Sequence, residues 1–331
     1  MTLSRRNLLT SLAAGAGLLA APHAWAQRLP AGKPVHLVLP VAPGGTVDIL
    51  ARQLAPRLSE VLGQPVVVEN RAGGSGAIAG SHVASAAPDG TTVLLGALDL
   101  ATIPALLAQK TFVPLQQLAP VGLVTSGPLV LVVNAEKTSA RTLAEFVAQA
   151  KAQPGAMNFG SAGNGNVTHL FGEMFRRAAG VDIRHVPYRG TGPALTDLQA
   201  GQITMLMAGP GSVKQLVAAG RLRALAITGK DPGQAVGFGD VPTFAQAGMP
   251  MPETDMGAWQ GLFVARATPR EAILQLNQAL NTVLGQPEMR TFFTGIVVAP
   301  APGAPEALGA LLESQTQVWT QVIRQAGISP G

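Results

Sequence analysis

The chain has 331 residues, with 23 Lys and Arg against 18 Asp and Glu, and no cysteine. The absent cysteine excludes disulfides, thiolate catalysis and Cys-based zinc sites. Charged residues make up 12% and aromatic residues 4%, with no basic cluster, which excludes the footprint of a nucleic-acid binder.

The N-terminus reads as an export address. Arg5 and Arg6 precede an uncharged run, Leu8 to Ala21, of 14 residues. About 20 apolar residues are needed to span a bilayer, so this run is too short to anchor. Ala24-Trp25-Ala26 is a small-x-small cleavage pattern that ends a signal over residues 1–26, and the paired arginines fit either a twin-arginine signal or an ordinary secretory signal whose n-region carries two arginines. The expected mature chain starts near Gln27, in the periplasm, with no membrane anchor and no cysteine to carry a lipid. Without Arg5 and Arg6 the net charge falls from +5 to +3, a mild balance that suits an anionic ligand.

Strands and helices then alternate. Val35 to Leu39 reads as a buried strand, broken by Pro43-Gly44-Gly45. Val47 to Leu62 carries Ile49, Leu50, Leu54, Leu58 and Val61 at helical spacing. Val66 to Val68 is a strand, Ile78 to Ala87 a helix ended by Pro88-Asp89-Gly90, and Thr91 to Leu95 a strand. This β-α-β-α-β order requires crossover helices and parallel pairing. The same grammar restarts with strands at Leu129 to Val133, Met157 to Phe159, Ile183 to Val186, Ile203 to Met207 and Leu222 to Thr228. The helices between them are Leu143 to Ala152, Thr168 to Ala179, Ala194 to Ala200 and Val213 to Ala219. Trp259 to Val264 is a last strand, and helices over Pro269 to Leu284 and Pro305 to Gln325 close the chain. The pattern predicts an α/β clamshell of two lobes with mixed, mostly parallel sheets. Lobe 1 comprises 27–125 plus 252–331 and lobe 2 comprises 126–251. The crossings lie near Val124 to Pro128 and Pro252 to Ala258.

Two glycine-rich turns join a strand to a helix: Pro43-Gly44-Gly45-Thr46-Val47-Asp48 and Gly160-Ser161-Ala162-Gly163-Asn164-Gly165-Asn166. A helix start leaves its first N–H groups unpaired and carries partial positive charge, so it receives carboxylate or phosphate readily. Either turn alone can be a plain tight turn capped by Thr46, Ser161 or Asn164. One in each lobe, both at carboxyl ends of strands, would face each other across a cleft.

The first turn, extended to Pro40 through Asp48, resembles the opening motif of the Bug-type receptors, the extracytoplasmic binding proteins of tripartite tricarboxylate transporters. The resemblance continues in family order through Val68-Glu69-Asn70-Arg71-Ala72-Gly73, Pro88-Asp89-Gly90, Asn158 to Gly165, His185-Val186-Pro187-Tyr188-Arg189-Gly190, Gly220 to Ala226 and Val241-Pro242-Thr243. It implies a two-lobed periplasmic-binding-protein fold of type II, and a cleft for small carboxylates. It also implies backbone amides from both turns on the ligand carboxylate, and a membrane transporter or a signalling subunit as partner. The binding set it implies is Val41, Ala42, Pro43, Gly44, Gly45, Thr46 and Asp48, then Ala97, then Ser161, Ala162, Gly163, Asn164 and Asn166. Tyr188, Arg189, Gly190, Met207 and Ala208 complete it. Asp48 is expected to hold the first turn's amides rather than meet an anion, since like charges repel. Val41 replaces the family's usual aromatic neighbourhood, and Leu206-Met207-Ala208-Gly209 lacks a polar side chain. Both departures favour a ligand with an apolar or aromatic body behind its carboxylate.

Enzymatic readings find less support. Gly74-Ser75-Gly76-Ala77-Ile78-Ala79 fits a dinucleotide-binding turn, but no acid ends a following strand to hold a ribose. Ser161 sits where a nucleophile would, with His169 or His185 as partner, yet the glycine two positions earlier is Phe159. His36, His82, His169 and His185 show no paired ligand spacing, so neither metal nor cofactor is expected. The expectation is a binding protein and no enzyme.

Overall fold

The computed structural model describes residues 29–106, 111–229, 238–239, 241–251 and 257–326. The export segment, its cleavage point and most of the crossing at Pro252 to Ala258 lie outside these residues. The chain begins with β1 (Val35–Leu39), α1 (Thr46–Leu62), β2 (Val66–Asn70), α2 (Ala77–Ala84), β3 (Thr92–Ala97), α3 (Asp99–Leu106), a one-turn α4 (Pro114–Gln117) and β4 (Leu118–Gly127). It continues through β5 (Val130–Asn134), α5 (Leu143–Ala152), β6 (Met157–Ser161), α6 (Val167–Ala179), β7 (Ile183–Pro187), α7 (Thr191–Ala200), β8 (Met205–Ala208), α8 (Pro210–Ala218) and β9 (Leu222–Ile227). It ends with β10 (Ala258–Ala265), α9 (Arg270–Gly285), α10 (Pro287–Gly295), β11 (Ala299–Pro300) and α11 (Pro305–Ala326).

Local signals account for these elements. In α1, Leu50, Leu54 and Leu58 recur every four residues and are buried, and Gly63 ends the helix in the left-handed conformation. Thr142 caps α5 by accepting from the Glu145 amide, and Asn166 caps α6 by accepting from the Thr168 amide. Among the described residues no helix is long and apolar enough to cross a membrane.

Two mixed sheets form. The first has the order β11-β4-β10-β3-β1-β2, the second β7-β6-β8-β5-β9. Each therefore contains a second-first-third triple, β2-β1-β3 and β7-β6-β8, paired in parallel. The share of parallel pairing is lower than expected. β10 runs antiparallel to both β3 and β4, and β5 antiparallel to both β8 and β9. β4 escapes periodicity because Pro120, Gly122 and Gly127 interrupt it; its partner β10 absorbs the irregularity in two register shifts. α3 is also unexpected, since Pro104 lies inside it.

The apolar core has three parts. One lies under α1 and α9 on the first sheet, and one under α7 and α8 on the second. The third runs across both sheets, joining Leu94 and Phe263 of the first to Phe159 and Met205 of the second. α11 seals it, with fully buried Trp319 stacked on Phe171 of α6 at 5.6 Å.

Candidate functional site

In a second-first-third triple the chain leaves the first and third strands toward opposite faces, which opens a crevice at their carboxyl ends. Here the two crevices meet in a cavity of ≈ 60 Å³. The first sheet supplies Pro40, Val41, Gly45, Thr46 and Val47 after β1, and Ala97, Leu98 and Asp99 after β3. The second supplies Ala162, Asn166, Val167 and Thr168 after β6, Thr191 after β7, and Gly209 and Pro210 after β8. Gly127, Pro128, Leu129, Ala258, Gln260 and Val298 complete the wall. The helices α1, α3, α6, α7 and α8 all begin here, so their partial positive charges ring a space whose wall, among the described residues, holds no Lys or Arg.

The first loop is held from behind. Asp48, 4% exposed, accepts from the Gly44 amide at 3.1 Å, from Arg52 Nε and Nη2 at 3.0 Å and from Asn70 Nδ2 at 3.0 Å. Burial works against its charge, but these bonds outweigh burial and hold its pKa below the ordinary carboxylate value. No side chain caps α1, and its first residues Thr46 and Val47, whose amides have no intrahelical acceptor, line the cavity. The Thr46 hydroxyl is buried without a hydrogen-bond partner.

The second loop differs. The Ala162 amide donates to Thr168 Oγ1 at 2.9 Å, that of Gly163 to Ser161 Oγ at 3.1 Å, and that of Gly165 to His169 Nδ1 at 3.0 Å. The Thr168 amide donates to Asn166 Oδ1 and the Asn166 amide to the Gly163 carbonyl. Asp99, 3% exposed, takes the Val167 amide at 2.9 Å and Asn166 Nδ2 at 2.5 Å. Burial raises the Asp99 pKa to about 6, although both bonds pull it down. A carboxylate of the protein's own thus sits at the start of α6.

The structure brings Val41, Gly45, Thr46, Ala97, Ala162 and Asn166 of the expected set into the cavity. Ala162 and Asn166 also border an adjoining open groove of ≈ 830 Å³, together with Gly163, Asn164, Tyr188 and Arg189. Tyr188 donates to Asp197 Oδ2 at 2.7 Å, and burial with that neighbour lifts its pKa to about 12. Eight expected residues line neither hollow. Ala42, Pro43, Gly44 and Gly190 instead pack one lobe against the other: the Ala42 amide donates to the Arg189 carbonyl at 2.9 Å, and Gly190 and Gly192 abut Ala42, Pro43 and Gly44. Asp48 faces Arg52 and Asn70. Met207 and Ala208 are fully buried on β8, whose two faces are both covered by core.

Ser161 is fully buried as well. It shares a 2.6 Å hydrogen bond with His185 Nε2, and its hydroxyl donates to the Gly163 carbonyl. Burial and neighbouring His169, stacked at 3.9 Å, push the His185 pKa down to about 3. The hydroxyl faces neither hollow, so the triad-like contact orders the loop and does not present a nucleophile. Among the described residues no group of three or more His, Asp or Glu could hold a metal. Gln260 and Thr191 escaped the sequence reading. The only available signals were a lone polar residue in an apolar strand and a hydroxyl at a helix start.

The family model described as the tripartite tricarboxylate transporter family receptor matches residues 50–328. Protein BugT of Bordetella pertussis is 34% identical over 297 residues, covering 89% of this chain and 90% of its own. R. palustris Rpa4515 with adipate superposes with a TM-score of 0.84 at 31% identity, over 93% of this chain and 100% of the other. MatC from Rhodopseudomonas palustris with bound malate gives 0.79 at 32% identity, over 88% and 98%.

Proposed function

The chain belongs to the tripartite tricarboxylate transporter receptor family, and from that premise we propose that it captures a small carboxylate in the cavity between its lobes. In this reading it does so in the periplasm, after export through its N-terminal signal, and passes the ligand to a membrane transporter of the same class. Residues 27–125 with 252–331 form one jaw and residues 126–251 the other, a division supported by the strand membership of the two sheets.

The observation that carries the reading is the uncapped start of α1. The uncapped first residues Thr46 and Val47 and the unpartnered Thr46 hydroxyl border a largely apolar space that has no cationic side chain among the described residues. Three hydrogen bonds to a carboxylate at ~1.5–3 kcal/mol each give about 5–9 kcal/mol. Association costs ~4 kcal/mol or more, so micromolar binding also draws on burial of an apolar ligand body against Val41, Leu98, Leu129 and Val298. Related proteins solved with adipate and malate support the ligand class.

Gly45→Trp tests this. Gly45 has φ −88°, which any residue adopts, so the change fills the cavity mouth without backbone strain. Calorimetric titration with short carboxylates should show at least a hundredfold loss of affinity with an unshifted melting temperature. Undiminished affinity in that variant would remove α1 as the binding element.

A further inference from the structure

This inference rests on the carboxylate-receptor reading and names the kind of carboxylate. The two loops that meet at the cavity are in different states. At the start of α1 the carboxylate of Asp48 is turned back onto Gly44, Arg52 and Asn70 and takes neither the Thr46 nor the Val47 amide. The start of α6 already has an anion: Asp99 crosses from the first sheet to take the Val167 amide and the Asn166 side chain of the second. The remaining amides named above in that loop are taken by Ser161, Gly163, Asn166, Thr168 and His169, so little is left there for an incoming anion.

Among the described residues Asp99 is the only acid in the cavity wall, and no Lys or Arg stands there to balance a second one. A ligand with carboxylates at both ends would place one on α1 and bring the other against the buried Asp99 charge, at a separation of a few ångströms in a low dielectric. A ligand with one carboxylate and an apolar tail meets no such conflict. We propose that Asp99 stands in for a second ligand carboxylate, so that this receptor selects monocarboxylates over dicarboxylates.

The test is calorimetric titration of the protein at pH 7.5 with two matched pairs, butyrate against succinate and hexanoate against adipate. Wild type should bind the better monocarboxylate at least tenfold more tightly than its diacid. In Asp99→Ser, which vacates the α6 start, the diacid should gain at least tenfold while the monoacid changes less than threefold. Asp99→Asn, which keeps the shape and removes the charge, should give a smaller gain for the diacid and checks that folding is retained. Wild type binding a diacid as tightly as its monoacid overturns the inference and leaves the receptor reading intact. So does an equal change for both ligands in Asp99→Ser, which would make Asp99 a structural tie between lobes. Absence of binding by every carboxylate, to wild type and variants alike, overturns the receptor reading itself and this inference with it.

Discussion

Closure of the two lobes depends on places without a side chain, and Gly192 is the tightest of them against backbone. Gly192, in the first turn of α7, faces the first loop so closely that an added Cβ would lie 2.3 Å from the Pro43 carbonyl oxygen and 3.4 Å from Gly44 Cα. Both neighbours are backbone and cannot swing aside. An ordinary carbon–oxygen contact needs ~1 Å more than this, so Gly192→Ala must separate the loops by about that much. The Ala42 amide to Arg189 carbonyl bond, 2.9 Å long, then stretches beyond hydrogen-bond range, a loss of ~0.5–1.5 kcal/mol. A slit of ~1 Å across the cavity also forfeits a quarter to a half of the dispersion between ligand and far wall. Together these amount to ~1–3 kcal/mol, or about a 5- to 150-fold rise in Kd. The fold itself should not suffer, because Ala is favoured over Gly in a helix by ~0.5–1 kcal/mol. Titration with butyrate or hexanoate measures the effect. Gly285→Ala is the control, since its added Cβ meets nothing within 4 Å. An unchanged Kd in Gly192→Ala, with the Ala42 amide still slow to exchange with deuterium, would refute the link between this contact and binding.

The buried acid and the buried indole make two further predictions. The folded Asp99 pKa of about 6 lies above its ordinary 3.8, so its stabilisation is fully present below that lower value and is lost as pH rises through the higher one. The difference corresponds to ~3 kcal/mol; in urea unfolding at pH 4 and 7.5, Asp99→Asn should gain about that much on wild type at the higher pH, and a constant gap would show that no buried charge is carried there. Trp319→Ala empties a fully buried site against Phe171 and should cost ~3–5 kcal/mol in the same assay, a loss below 1 kcal/mol contradicting the packing described.

The turn that opens α1 was legible because its signals are local. Pro43-Gly44-Gly45 ends a run of apolar strand residues and Leu50, Leu54 and Leu58 begin a helical period, so the turn between them announces itself. What the second loop does was not legible. Ser161, Asn166, Thr168 and His169 are all plausible caps, and only the folded backbone shows that they take the loop's own amides. Asp99 pairs with Asn166 and Val167 from 67 and 68 residues away, a distance over which no periodicity speaks. Met207 and Ala208 were misplaced for a related reason. In a strand of four residues buried on both faces, alternation does not say which side chain meets a cleft and which meets core. β4 hid because Pro120 and Gly122 are tolerated by an irregular partner rather than by their own strand.

The core that α11 seals is shared between the jaws: Trp319 and the residues around it belong to the packing of both sheets at once. Each jaw also has a core part of its own, but neither closes its interior without this shared one, so the two are expected to melt together. Heating should give one calorimetric peak whose van't Hoff and measured enthalpies agree, despite a chain that crosses between two sheets. This matters during folding, since the amino-terminal jaw has to wait for the last helix before the shared core is closed.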